Sequence, residues 1–398
     1  MKSLVNVVSA VAILVAPGFA KEPEVAATGT KPTGFEIGTT EQNLQWMEKG
    51  VPEQQLAHID AIADAGAKWV RLTLRKPFAP CLLAHIKRAN ERGVKVMVHL
   101  ESDEHLLYAP GTKKRPGNHG HGGCAWDSYP LSELDLSLCE AFVREFFELL
   151  KAENATVSAI EMFNEINWNA FNGDLPLTDG GLWIDDSTPW DDPVFVKYRA
   201  GIEKIGRLTK IVSYLNRELL GGKVQIITSG MVGGFYDWKS SPKLSGWMAK
   251  IKGAVVSHSL TLRLMRGTDS HQIESTNYLE YADGIGIHIY PQAGERNLSK
   301  VIGLHFDPAR KVPEVGMEKP FWITEAGYLR RDFPDDTKRL KELQRLCQAL
   351  GVYDRSKGDL ATVFLHNFSS GTDEAGEFGM WENGSLLSAG RIFKSFRH

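Results

Sequence analysis

Eight short runs rich in Val, Ile and Leu recur along the chain, each followed by a stretch of helical periodicity. This alternation constrains the fold more than any other feature. The runs are 35–38, 69–74, 94–100, 157–163, 224–228, 284–290, 320–324 and 361–366. Several are almost continuously apolar, as parallel strands buried on both faces must be. Between them, Leu56, Ile59 and Ile62 share one helical face before Gly66. Phe142, Phe146 and Leu149 form a second stripe, and Phe195, Tyr198, Ile202, Ile205 and Leu208 a longer one. Stripes at this spacing are core-facing surfaces. Eight β/α units specify an α/β fold closed as a (β/α)8 TIM barrel in a single domain. The alternative is an open doubly wound sheet, which would carry a GxGxxG turn after the first strand, and none is present. The segment between the fifth and sixth runs has no clear assignment.

The chain has 398 residues, of which 42% are hydrophobic and 24% charged, enough apolar material for a large core. Its first residues read as a targeting segment: Lys2, an apolar run over 8–15, then Pro17, Gly18, Phe19 and Ala20. The expected division is a signal peptide over 1–20, a linker over 21–33 and the barrel over 34–398. The apolar run is short for a membrane span, and no other run reaches that length, so a secreted or periplasmic protein is expected. The formal net charge of −3, without a basic cluster carrying interleaved aromatics, argues against a nucleic-acid partner. The four cysteines, Cys81, Cys124, Cys139 and Cys347, fit no zinc or redox spacing. Export permits disulfides, with Cys124 and Cys139 nearest in sequence, and free buried thiols are the equal alternative.

Three connections after strands are long: 101–130, 167–192 and 229–283. In a barrel such connections build the active face. They carry Trp126, Trp168, Trp183, Trp190, Trp238 and Trp247. Flat aromatic rings suit the apolar faces of sugars, and equally serve to pack loops onto a barrel. Trp168 is the best placed for stacking, because it follows a glutamate at a strand end. That glutamate is Glu165, which closes the run Ala159 to Phe163 through Asn164. A second, Glu325, closes the run Phe321 to Thr324. Asn90-Glu91 repeats the Asn-Glu pair inside a helical stretch. Two carboxyl groups on different strands can flank one bond, one donating a proton while the other attacks. Arg71, His99, His288 and Tyr290 stand at other strand ends, and the last two are two apart, on one face of their strand.

This set resembles the clan A glycoside hydrolases, with families 5 and 39 the nearest. The resemblance covers roughly 34–396 and is strongest at 160–165, 288–291 and 323–328. The stretch from Gly379 to Ser385 is similar to the segment leading into the last helix of these barrels. The resemblance implies retaining cleavage of β-glycosidic bonds in a carbohydrate substrate, with Glu165 as acid/base, Glu325 as nucleophile and no cofactor. It further implies that Asn164 holds a sugar hydroxyl, that Arg71 and Tyr290 hydrogen-bond the nucleophile, and that His99 and His288 bind sugar or tune the acid. One departure concerns strand eight. Many clan members present a tryptophan there, whereas this chain reads Val363-Phe364-Leu365-His366-Asn367-Phe368, with Phe368 the candidate substitute.

Two other function classes compete. One is a glycan-binding barrel without catalysis, for which the pair of glutamates would be superfluous. The other is a metal-dependent hydrolase centred on His119 and His121, which sit between glycines without an evident third ligand. Thr228-Ser229-Gly230 lacks the first glycine of a GxSxG nucleophile turn. The aromatic loops favour an endo-acting cleft.

Overall fold

The computed structural model describes residues 34–45, 47, 51–75, 79–118, 126–267, 276–316, 318–370 and 377–395. The proposed signal peptide and linker, His119, His121 and Cys124 lie outside the described residues. Eight strands and eight helices alternate. They are β1 (Glu36–Thr40), α1 (Pro52–Ala65), β2 (Trp69–Leu74), α2 (Ala79–Glu91), β3 (Lys95–Leu100), α3 (Leu136–Ala152), β4 (Ala159–Glu161) and α4 (Pro193–Leu220). The second half comprises β5 (Gln225–Ile227 and Met231–Val232), α5 (His258–Arg266), β6 (Ile285–Ile289), α6 (Leu298–Phe306), β7 (Phe321–Ala326), α7 (Asp336–Lys357), β8 (Leu360–Leu365) and α8 (Ile392–Ser395).

All barrel pairings are parallel, and the ring is closed. β8 pairs with β1, and β1 with β2, at Gly38↔Trp69. The two segments of β5 face different neighbours: the first pairs with β4, the second with β6. A single strand interrupted at 228–230 thus joins the two ends of the sheet, and the open-sheet alternative is excluded. At the interruption the Thr228 hydroxyl accepts the Gly286 N–H at 3.0 Å, replacing a backbone partner. Helix ends follow from local chemistry. Asp192 caps α4, accepting from the Val194 and Phe195 N–H groups ahead of Pro193, and Gly221 ends it in the left-handed conformation.

Alternation along the strands separates two cores. Residues such as Val70, Val96, Ile160, Ile287 and Val363 point outward into the core shared with the helices. Trp69, Met97, Ala159, Ile227, Trp322 and Phe364 point inward and form a separate apolar plug. The Trp69 and Trp322 rings meet edge-on at 5.3 Å, an arrangement favoured by their quadrupoles. The polar site stands on this plug.

The unassigned region after β5 forms two short helices, Phe235–Ser240 and Pro242–Lys250, and the strand Ala254–Val256. That strand pairs with Leu182–Ile184 from the β4–α4 connection. The β4–α4 connection and the segment after β5 therefore fold onto each other. No helix among the described residues is long and apolar enough to cross a membrane.

Candidate active site

Two residues beyond four members of the plug, the inward positions become polar. Arg71 follows Trp69, His99 follows Met97, Glu161 follows Ala159 and His366 follows Phe364. All are buried. Arg71 organises this layer. Its Nε donates to Glu161 Oε2 at 2.6 Å, one terminal nitrogen to Glu325 Oε1 at 2.8 Å, and the other to Asn164 Oδ1 at 2.9 Å. The planar fork thereby fixes two groups at the end of β4 and one on β7 at once.

Glu325 reaches the site through an irregularity. Simple alternation from Trp322 would turn Thr324 inward and Glu325 outward. The register with β6 runs Ile323↔Ile287, then Glu325↔His288, so Thr324 is an extra residue and the bulge turns Glu325 into the barrel. The strand continues to Ala326, so Glu325 lies within it and not just past its end. Tyr290 donates to Glu325 Oε2 at 2.6 Å, and the Gln42 amide donates to Oε1.

Glu165 is placed by a different irregularity. The ladder of β4 ends at Glu161, and Phe163 and Glu165 adopt positive φ of 68° and 43°. Such left-handed geometry in a non-glycine residue costs about 1–3 kcal/mol and persists where the surroundings over-determine it. Here they do. Glu165 N–H donates to Gly230 O at 3.0 Å, and its carbonyl accepts from Trp168 N–H at 2.9 Å. Asn167 ties the same loop to both neighbours, donating to Val232 O at 3.0 Å and Val256 O at 2.9 Å.

The two carboxyl groups face each other across His288. Its Nδ1 is 2.7 Å from Glu165 Oε1 and 3.5 Å from Glu325 Oε2. One oxygen of each glutamate and this nitrogen all lie within 4.8 Å of one another. By distance alone a cation fits between them. The Arg71 guanidinium on the same Glu325 carboxylate opposes a second positive charge there.

Their surroundings push the two acids apart. Burial is the largest influence on Glu165 and raises it; contact with His288 pulls the other way and the Glu325 charge adds to the rise. Burial acts on Glu325 as well, but His288, His366, Arg71 and the Tyr290 hydroxyl outweigh it and hold the carboxyl well below the usual range. Burial pushes His366 itself down to about 4, so at neutral pH Arg71, and not His366, stands charged beside Glu325. His288 is raised, because the two glutamates overcome the effect of its burial.

The site residues expected from sequence are distributed as follows. Arg71, Asn164, Glu165, His288, Tyr290 and Glu325 converge into one hydrogen-bonded set. His99 joins its edge, with Nε2 3.5 Å from Glu101 Oε2, and burial and Arg71 lower it. Trp168 is a correction. It is 2% exposed, bridges to Val255 and packs edge-on to Phe171, so its ring anchors the loop and offers no face to a ligand. Trp126, Trp183 and Trp190 pack against the core but stay partly exposed, while the Trp238 and Trp247 side chains lie outside the description. Phe368 is also corrected: it is wholly buried, stacked on Trp381 with ring centroids 6.2 Å apart. Cys81, Cys139 and Cys347 carry free thiols.

Three neighbours of the pair escaped the sequence reading. Glu161 lies four residues before Glu165 in a run already singled out, and period two from Ala159 would have turned it inward. His366 was considered only as part of a strand without tryptophan. Gln42 lies in the turn after β1, where no periodicity applies.

The fold and this ring of polar strand ends define an α/β barrel with its chemistry at the carboxyl ends of the strands. Comparison with solved structures places the chain in that architecture. It resembles the β-glycosidase BGL167, with a TM-score of 0.55 and 12% identity over 92% of this chain and 96% of that one. A β-glucosidase from Thermotoga maritima gives a TM-score of 0.55 at 11% identity, covering 92% and 97%. The GH53 catalytic domain of Ignisphaera aggregans gives 0.52 at 14% identity, covering 92% and 97%. At such identities the likeness shows the fold. No protein-family model and no curated protein sequence matches the chain.

Proposed function

We propose that the protein is a retaining glycoside hydrolase acting on β-linked sugars. The observation that carries this reading is that one carboxyl oxygen of Glu165 and one of Glu325 lie within 4.8 Å of each other, in opposite electrostatic settings. Carboxyl groups about 5–5.5 Å apart serve double displacement, whereas about 6.5–9.5 Å leaves room for the water of an inverting enzyme. Solved structures of the same fold described as a β-glycosidase and a β-glucosidase agree with it.

In this mechanism Glu325, ionised by Arg71 and Tyr290, attacks the anomeric carbon and forms a glycosyl ester. Glu165, kept protonated by burial, delivers its proton to the leaving oxygen. It then takes a proton from water as that water releases the sugar. Asn164 orients the sugar beside the pair while Arg71 fixes Asn164. His288 holds the Glu165 carboxyl and stands between the two acids. The N-terminal sequence supports action outside the cytoplasm, on a polysaccharide or oligosaccharide.

The decisive experiment uses 4-nitrophenyl β-glycosides with Glu325→Gln and Glu165→Gln. Both variants should lose at least about a thousandfold in kcat. Azide should restore turnover to an alanine variant at either glutamate, giving the α-azide at 325 and the β-azide at 165. Full activity in Glu325→Gln would overturn the reading; glycan binding without hydrolysis in the unaltered protein would favour a binding barrel.

A further inference from the structure

The partners of Glu325 differ in their freedom to move. Oε1 accepts from Arg71 and from Gln42, and Oε2 accepts from Tyr290. His288 and His366 approach Oε2 at 3.5 and 3.9 Å. A carboxylate offers about four lone-pair directions, so these partners leave little of this carboxylate free to attack carbon. Arg71 is wholly buried and tied to Glu161 and Asn164 as well. Tyr290 is buried among His288, His366 and Phe378. Gln42 alone among the three donors is partly exposed, and it belongs to a turn instead of a strand. Its backbone is anchored, because Thr73 Oγ1 donates to Gln42 O at 2.7 Å, while its side chain extends into the mouth. The atom facing Glu325 must be the amide nitrogen, since the amide oxygen would meet a carboxylate oxygen. The same nitrogen lies 3.5 Å from His366 Nδ1, which the Thr40 hydroxyl meets more closely at 2.9 Å.

We propose that Gln42 is a displaceable cap on the nucleophile: its amide holds Glu325 Oε1 in the empty site and leaves it when a sugar enters, a hydroxyl of the sugar taking its place. This rests on the glycosidase reading and adds a residue and a step to it. The cap orients Glu325 before binding, and its departure couples occupancy of the site to the exchange of a protein hydrogen bond on Oε1 for one from the substrate. Gln42 is therefore a positioning residue, read by ligand-free and ligand-bound enzyme differently.

That difference is measurable. The pH dependence of kcat/KM reports the free enzyme and that of kcat the complex. With the 4-nitrophenyl β-glycoside turned over fastest, Gln42→Ala and the shorter Gln42→Asn should shift the acid limb of kcat/KM upward by about 0.5–1 pH unit, as one lost hydrogen bond to the ionised form predicts. The acid limb of kcat should stay where it is. The groups that set both limbs, Arg71, Glu165, His288, Tyr290 and His366, are common to all the variants. If the two limbs move together, the cap remains in place during turnover and the proposal is wrong. If neither moves, the amide does not hold the nucleophile, which also overturns it. Activity retained in Glu325→Gln would instead sink the glycosidase reading itself, so the two failures are distinct.

Discussion

Glu161 and Glu325 are held by one guanidinium: Arg71 donates to Glu161 through Nε at 2.6 Å and to Glu325 through a terminal nitrogen at 2.8 Å. One carboxylate thus aims the cation that keeps the other ionised. Burial alone would lower Arg71, and the two glutamates outweigh it. Removing Glu161 leaves the cation with one charged partner and freedom to rotate. We predict that Glu161→Ala lowers kcat/KM by about ten- to a hundredfold, the range for partners that orient catalytic ligands, and raises the acid limb of the profile. It should also lose about 3–5 kcal/mol of stability, as expected for breaking a buried ion pair. Urea unfolding and a pH series on the purified variant check both. An unchanged acid limb would show that Glu161 serves stability alone.

Gly230 guards the other side of the pair. A Cβ there would lie 2.2 Å from His288 Nε2 and 2.3 Å from Thr324 Oγ1. Both are short buried groups without room to retreat. Gly230→Ala should push His288 off Glu165, lowering kcat more than KM rises, with loss of about tenfold or more. A structure of the variant with the 2.7 Å contact intact and normal turnover would contradict this.

The opposed shifts of the two acids prescribe a bell-shaped pH profile. Activity rises as Glu325 ionises, and its depressed pKa puts that limb below the ordinary carboxylate range. Activity falls as Glu165 loses its proton, and its raised pKa puts that limb above the ordinary range. Arg71→Met should narrow the bell from the acid side, because the cation that favours ionised Glu325 is gone. Initial rates across pH 3–9, taken with stability controls, test the profile, and an acid limb that stays put in Arg71→Met would remove Arg71 from this role.

The barrel was legible because its signal is periodic and repeated: buried parallel strands and striped helices each obey one spacing rule. Glu165 and Glu325 were found by their position at strand ends. The geometry that aims them was not legible, since the bulge at Thr324 and the positive φ at Glu165 are departures from regular spacing set by neighbouring strands. Trp168 shows the limit from the other side. Its place beside the acid was visible, yet whether its ring faced a ligand or the core depended on Ala254–Val256, which arrives from a loop more than eighty residues later. Gln42 likewise meets Glu325 only through closure of the ring between β8 and β1.

Glu41, beside Gln42, carries a prediction about stability instead of turnover. Its carboxyl is fully buried, accepts from the Ser369 N–H at 3.0 Å and the Ser369 hydroxyl at 2.8 Å, and has no ion pair with a cation among the described residues. Burial raises it to about 8 despite those two bonds, so it is protonated in the folded protein at neutral pH. The unfolded chain ionises near the ordinary value, and the folded state therefore binds one more proton between that value and about 8. Stability from this group is complete at acid pH and is lost progressively as pH rises to about 8, where the folded carboxyl also ionises. Glu41→Gln keeps an acceptor for Ser369 and removes the titration. Its melting temperature should exceed that of the unaltered protein at pH 8, with the gap closing toward pH 5, by thermal unfolding across that range. A gap independent of pH would mean that Glu41 is already ionised in the folded state and finds its compensation elsewhere.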